Sequence, residues 1–224
     1  MNSNIYADSI VFAVSNGRIQ VKQYHQDLKL IGTGRSACVF RIKDTNKVIK
    51  VFPSQFTHIA QKEADIYKLL INSKYFPVIY ETGENFLTMD YIEGNTLFMC
   101  LNKGILISEK QINEVDHIIN EVREVGLNPS DIHLRNIIVT PDNQIKMIDV
   151  ARYKQKKHDT QWNDLKNAYY RFYQHPLFPK KLPECMLNFI AALYKRKLLF
   201  IPFLTGSNPP TQDSREAKKI GGDN

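Results

Sequence analysis

Leu-Asn-Pro-Ser-Asp-Ile-His-Leu-Arg-Asn-Ile-Ile-Val-Thr-Pro-Asp-Asn-Gln-Ile-Lys-Met-Ile-Asp-Val-Ala-Arg occupies residues 127–152 and decides how the rest of the chain is read. Asp131 is followed five places on by Asn136, and Asp149 comes after the turn-forming Pro141, Asp142 and Asn143. The runs Ile137-Ile138-Val139 and Ile145-Lys146-Met147-Ile148 flank that turn. They predict a β-hairpin, because Pro-Asp-Asn between two apolar runs is turn chemistry. A hairpin brings its ends together, so Asp131, Asn136 and Asp149 are expected to converge in loops at its open end. An amide oxygen and a carboxylate suit a hard, hydrated cation such as Mg²⁺, and a further carboxylate beside them suits a general base. Such a set can serve phosphoryl transfer; the plainer reading is surface Asp and Asn at the ends of an ordinary hairpin.

The spacing resembles the catalytic and metal-binding loops of the protein-kinase superfamily, H-R-D-x-x-x-x-N followed by D-F-G. The resemblance makes Asp131 the base for the attacking hydroxyl and gives Asn136 and Asp149 to the metal, with Val150-Ala151 in the places of Phe-Gly. Pro129-Ser130 stand where His-Arg is usual, so the loop departs from the pattern there.

Upstream, Leu30-Ile31-Gly32-Thr33-Gly34-Arg35-Ser36-Ala37-Cys38-Val39-Phe40 contains two glycines that let backbone N–H groups approach phosphates. Strands over 28–31 and 39–42 are expected to hold this loop; a lone G-x-G also marks a simple bend. Val39 fills the valine place of G-x-G-x-x-G-x-V, and Ala37 replaces the third glycine. Ile31, Gly32, Thr33, Gly34 and Val39 are then nucleotide-binding residues. Lys47-Val48-Ile49-Lys50 resembles the V-A-I-K strand, which selects Lys50 over Lys47 as the phosphate-binding lysine. Glu63, thirteen residues later, opens the periodicity of a helix (Ile66, Leu69, Leu70) and by resemblance pairs with Lys50. Without the resemblance it reads as a first-turn glutamate favoured by the helix dipole. Asp65 is the rival carboxylate and should face elsewhere.

Residues 77–80 and 86–89 predict paired strands, and Met89-Asp90-Tyr91-Ile92-Glu93-Gly94-Asn95 resembles the hinge between kinase lobes, with backbone groups of Asp90 and Ile92 meeting adenine. Ser108 and Gln111 form a capping box for a helix with the core stripe Ile112, Val115, Ile119, Val122 and Val125, ending near Gly126. The implied fold is α+β and two-lobed. Residues 1–27 form an N-terminal hairpin extension centred on a Ser15-Asn16-Gly17 turn, 28–91 a β-rich N-lobe, 92–204 a shortened helical C-lobe, and 205–224 a disordered tail.

After Asp149 the chain reaches a new helix at Trp162-Asn163-Asp164-Leu165 within 15 residues, with no A-P-E motif. The truncated plan resembles small bacterial serine/threonine kinase-like proteins and the RIO kinases. Ser130, in place of an arginine that would contact a phosphorylated activation loop, fits that truncation. Tyr153 and Thr160 are the hydroxyl candidates for phosphorylation in the short segment, and Ser207, Thr211 and Ser214 in the tail. His133, two after the base, resembles the D-x-H-x-x-N of aminoglycoside and choline phosphotransferases, where it could donate to the transferring phosphate; it also fits as a packing histidine.

A chain of 224 residues with 43% hydrophobic and 24% charged residues describes a folded protein. Cys38, Cys100 and Cys185 are widely spaced and odd in number, which points to a reducing cytoplasm. The N-terminus lacks a signal-peptide pattern, and no segment reaches the roughly 20 apolar residues that span a bilayer. Residues 183–199 read as a buried helix, with a membrane-surface helix as the other reading. Between Lys146 and Lys197 twelve Lys and Arg face four acids, which accounts for the chain's net charge of +7. Such one-sided charge concerns partners: DNA, an anionic membrane or an acidic protein. Three functions fit: an ATP- and Mg²⁺-dependent serine/threonine kinase, a small-molecule kinase, and a non-catalytic nucleotide-binding module. The complete residue set disfavours the last, and the short basic C-lobe favours a protein substrate.

Overall fold

The computed structural model describes residues 3–15, 18–156 and 160–196. The N-lobe is built on a five-stranded antiparallel sheet of β3 (Leu28–Thr33), β4 (Cys38–Ile42), β5 (Lys47–Val51), β6 (Ile79–Thr82) and β7 (Phe86–Asp90), in the order β3-β4-β5-β7-β6. Period-two alternation sorts its residues. Val48, Leu87 and Met89 join the apolar core that extends into the C-lobe, whereas Cys38, Phe40, Ile49, Val51 and Phe86 join a second cluster on the other face. Lys50 shares its face with Val48 and is paired in register with Val39, so strand parity sends it towards the C-lobe.

The second face is covered by the N-terminal extension. Its hairpin, β1 (Val11–Ser15) with β2 (Arg18–Gln23), forms as expected, although Asn16 and Gly17 lie outside the described residues. A short helix α1 (Ser3–Asp8), not expected from sequence, precedes it; Ala7 and Ile10 pack into the second cluster, and the Thr88 hydroxyl donates to buried Ser3 Oγ at 3.0 Å.

The helix carrying Glu63 begins earlier than its apolar periodicity suggested. After a 3₁₀ turn (Ser54–Phe56), α2 runs Thr57–Leu69 and puts Glu63 at mid-helix, so the first-turn dipole reading of Glu63 falls. Ile66 and Leu70 are buried but Leu69 is exposed, because it lies on the solvent side of the same helix. Asp65 faces out too, paired with Lys68 at 3.0 Å.

Beyond Gly94 the C-lobe opens with β8 (Asn95–Thr96) and α3 (Leu97–Lys103), the latter also missed from sequence. The long helix α4 (Glu109–Glu124) starts with the expected capping box between Ser108 and Gln111. Ile112, Val115, Ile119 and Val122 are buried, together with Ile118; Val125 is exposed because the helix has ended before it. The hairpin β9 (Ile137–Val139) and β10 (Ile145–Met147) forms around Pro141–Asn143, with β8 as a third strand. α5 (Gln161–Ala168) continues into a π-helical turn (Tyr169–Tyr173), and α6 (Glu184–Lys195) ends the described chain.

α6 corrects the expectation of a buried helix. Leu187 packs with Phe98 and Leu182, while Met186, Phe189 and Ile190 are exposed, Phe189 at 62%. Apolar residues occur around most of its circumference, but the fold offers it only one face. The expected extension to residue 199 and the tail 205–224, with Ser207, Thr211 and Ser214, lie outside the described residues. No helix among the described residues is long and apolar enough to cross a membrane.

Candidate active site

The cleft between the lobes gathers residues from β5, α2 and the loops at the open end of the β9–β10 hairpin. Lys50 Nζ on β5 donates to both Glu63 carboxylate oxygens at 2.7 Å and to Asp149 Oδ1 at 3.1 Å. Glu63 is 0% exposed. Burial opposes the Lys50 ammonium, but the two carboxylates outweigh it and hold its pKa above the ordinary lysine value. Burial pushes Glu63 up, with Lys50 working against that rise. Asp149 is held below its ordinary value, first by Lys50 against the effect of burial, with His133 and Arg152 adding to the lowering. A lone buried glutamate would be costly; the bidentate lysine makes this one tolerable. Lys47, three residues before Lys50, lies over the Tyr80 ring instead, 3.9 Å from its centroid.

The hairpin brings the three oxygen-bearing residues together. The Ile148 N–H donates to the Asn136 carbonyl at 3.0 Å, setting Asn136 beside the chain entering Asp149. Asn136 Nδ2 donates to the Asp131 carbonyl at 3.3 Å, and its side chain is largely buried. Asp131 and Asp149 both adopt left-handed backbone conformations, φ +60° and +63°. Non-glycine residues pay for such geometry, and it gathers at functional sites where surrounding structure enforces it. With its amide nitrogen occupied, Asn136 keeps its oxygen for a cation; with Asp149 this makes a hard, all-oxygen pair that would suit Mg²⁺.

Asp131 meets two cations, Arg35 and Arg152, that the sequence did not assign to it, although Arg152 belongs to the basic segment expected to meet an anionic partner. Arg35, at the tip of the β3–β4 turn, places Nη2 3.5 Å from Asp131 Oδ2, and Arg152 places Nε 3.2 Å from the same oxygen. Arg35 is remote in sequence, and only its position in the glycine loop could have hinted at the meeting. Ser130, expected only as a replaced arginine, is a structural tie: its hydroxyl donates to the Arg152 carbonyl at 2.7 Å. Asn128 adds two more, from its N–H to the Tyr153 carbonyl at 2.7 Å and from Nδ2 to the Gln155 carbonyl at 2.6 Å. These bonds fasten the short segment after Asp149 onto the catalytic loop. Tyr153 is buried there with its pKa driven up by that burial, which removes it as a phosphorylation candidate in the folded protein. Thr160 is exposed.

In the glycine loop the Gly34 N–H donates to the Ala37 carbonyl at 2.8 Å, closing a tight turn. A Cβ on Gly32 would meet only Val39 at 3.8 Å, so the free protein gives no internal reason for glycine there. Ile31 and Thr33 lie on β3, with Thr33 opposite Cys38, and Val39 packs against the main core. At the hinge the Asp90 N–H is bound to the Val78 carbonyl and the Tyr91 N–H to Asn46, while the Asp90 carboxylate accepts from Val78 N–H and Tyr80 OH. The N–H groups of Asp90 and Tyr91 are thus both used within the N-lobe. Of the basic residues after Asp149, Lys154 and Lys156 are exposed and Lys157 lies outside the described residues.

The profile of the ABC1 atypical kinase-like domain matches residues 46–175, from the start of β5 past the catalytic loop and α5. The chain belongs to this kinase-like family. Among its relatives is the Bacillus subtilis (strain 168) protein named "Putative serine/threonine-protein kinase YrzF", 45% identical over 192 residues that cover 85% of this chain and 89% of that one. A longer Clostridium acetobutylicum protein, named "Probable serine/threonine-protein kinase", is 24% identical over 204 residues, 82% of this chain but 30% of its own length. The ABC1-type match begins after the glycine loop and leaves out Gly32 and Arg35.

Proposed function

We propose that this chain is an ATP- and Mg²⁺-dependent protein kinase that phosphorylates a serine or threonine hydroxyl. The observation that carries this reading is the bridge from Lys50 to both Glu63 and Asp149 across the cleft, an arrangement that aims an ammonium at phosphates where a metal carboxylate waits. The backbone of Gly32 and Gly34 covers the phosphates, with Ile31, Thr33 and Val39 around the nucleotide. The Asp90 carbonyl and Ile92 amide hold the adenine. Asn136 and Asp149 hold Mg²⁺, which when bound neutralises charge on the β- and γ-phosphates. Asp131 takes the proton of the acceptor hydroxyl as its oxygen bonds to the γ-phosphorus; the bond to the bridging oxygen breaks, and ADP carries away that electron pair. His133, close enough to influence Asp149, donates to the transferring phosphate. The three cysteines, unpaired with two of them buried, support a reducing compartment such as the cytoplasm.

Incubation with γ-labelled ATP and Mg²⁺ tests this against casein-like proteins, serine peptides, sugars and aminoglycosides. Label in protein or peptide, lost in Asp131→Asn, is the expected result. Label confined to a sugar or aminoglycoside would move the enzyme to the small-molecule class, and no label in any acceptor would overturn the reading.

A further inference from the structure

Building on that function, we infer that Arg35 and Arg152 select an acceptor hydroxyl flanked by an anionic group, a carboxylate or a phosphate. Two guanidiniums from opposite sides of the cleft converge on one oxygen of the base, Asp131 Oδ2, at 3.5 and 3.2 Å. Both are accessible, with side chains 74% and 42% exposed, whereas Asp131 itself is 26% exposed. The site therefore presents two reachable cations beside the base.

This basic wall is built rather than incidental. From Arg152 to Lys156 the sequence Arg-Tyr-Lys-Gln-Lys holds three cations and no acid. Three hydrogen bonds pin its backbone to the catalytic loop: Ser130 to Arg152, and Asn128 to Tyr153 and to Gln155. Buried Tyr153 anchors it from below, so Arg152, Lys154 and Lys156 are presented on a held strip. Lys50 is already committed to Glu63 and Asp149 and serves the nucleotide end, which leaves the strip for the acceptor.

In the free protein Asp131 occupies the place of the substrate's anion. Bidentate-capable guanidiniums prefer carboxylate and phosphate partners. An acceptor carrying such a group exchanges with Asp131 for Arg152 and Arg35, and Asp131 Oδ2 is then available to the hydroxyl. A neutral acceptor makes no such exchange and meets a base still covered by its arginines. Selection thus operates by unmasking the base as well as by attraction.

Three serine peptides of equal length decide it: one flanked by Asp and Glu, one by phosphoserine, and one by Asn and Gln. Transfer from labelled ATP is followed at low and at physiological salt. The unaltered protein is expected to favour both anionic peptides over the neutral one by at least about tenfold in kcat/KM, with the ratio falling as salt rises. In Arg35→Ala and Arg152→Ala the ratio should drop several-fold, and in the double variant to within about threefold of unity. Arg152→Lys, which keeps the charge and loses the fork, should retain part of the preference. Because each variant is read as a ratio between peptides, partial loss of folded protein cancels. Equal use of the three peptides, or an undiminished ratio in the double variant, overturns the inference and leaves the kinase reading standing. A preference for phosphoserine alone narrows the anion to phosphate and supports the inference. Transfer to none of them, with ATP binding intact by thermal shift, overturns the protein-kinase reading and this inference together.

Discussion

Asp131 and Asp149 are held at φ +60° and +63°, whereas the other non-glycine residues with positive φ among the described residues, Asp44 and Asn143, lie in strand-connecting turns. Such backbone costs on the order of 1–3 kcal/mol per residue and is retained where side-chain position matters more than local comfort. Asp131→Asn keeps the shape and removes the proposed proton acceptor. Nucleotide affinity should survive within a few-fold while transfer falls about 10²–10⁴-fold; equilibrium binding and single-turnover labelling on one preparation separate the two. Asp149 allows a pH test. Its folded pKa lies below the ordinary 3.8 because Lys50 favours the ionised form. Its contribution to stability is therefore present above that ordinary value and lost as pH falls through the folded one. The urea midpoint of Asp149→Asn should lie below that of the unaltered protein at pH 7, and the gap should narrow below about pH 4; a constant gap would contradict the ion-pair account. Glu63, pushed up by burial, runs the other way and is protonated before Asp149 on acidification.

Elements position these residues. The Phe98 N–H of α3 donates to the Leu134 carbonyl at 3.0 Å, and Arg135 lies over the Phe98 ring, 3.4 Å from its centroid, while also reaching Asn188 on α6 at 2.9 Å. Two helices thereby buttress the catalytic loop next to Asn136. The segment after Asp149 is fixed by Ser130 and Asn128 without any added phosphate, so Thr160→Ala should leave the rate within a few-fold; a collapse in phosphate transfer would reveal a switch in the short segment. Gly94, just past the hinge, has φ +147°, and a Cβ there would fall 2.3 Å from the Val139 carbonyl oxygen. Gly94→Ala combines a backbone penalty with a clash between the hinge and β9, and should destabilise by about 2 kcal/mol or more in urea unfolding.

For the whole molecule, one apolar core runs from β5, β7 and α2 through α4 to β10 and Tyr153, so a ligand gripping the cleft should stabilise both lobes together. A ligand that binds only the folded state adds about 2.7 kcal/mol at a hundredfold excess over Kd, which for a chain of this size is a rise of roughly 5–10 °C in Tm. Mg²⁺ and ATP together should produce such a rise, measured by calorimetry, and Lys50→Met should abolish most of it. A full rise in that variant would count against Lys50 as a phosphate contact.

Much of this arrangement is written in the chain itself. Spacing gave Asp131, Asn136 and Asp149 a common hairpin; strand parity separates Lys50 from Lys47, which three intervening steps place on the opposite face; Ser108 and Gln111 announce the start of α4. These are local signals, resting on period, turn chemistry and capping. Local signals failed where burial depends on what a face meets. α6 is as apolar as a core helix, yet only Leu187 finds a partner cluster, and Glu63 looked like the start of a helix whose first turns carry little apolar periodicity. The two arginines on Asp131 were beyond reach for a further reason: Arg35 and Arg152 are far apart in the chain, and the short range of an ion pair leaves no periodic trace in sequence. Sequence alone thus determined which chemical groups the cleft contains and which strands and turns carry them. Only the tertiary structure decided which cations cover Asp131, because that depends on how closely the glycine loop approaches the segment behind Asp149 once both lobes have packed on one core.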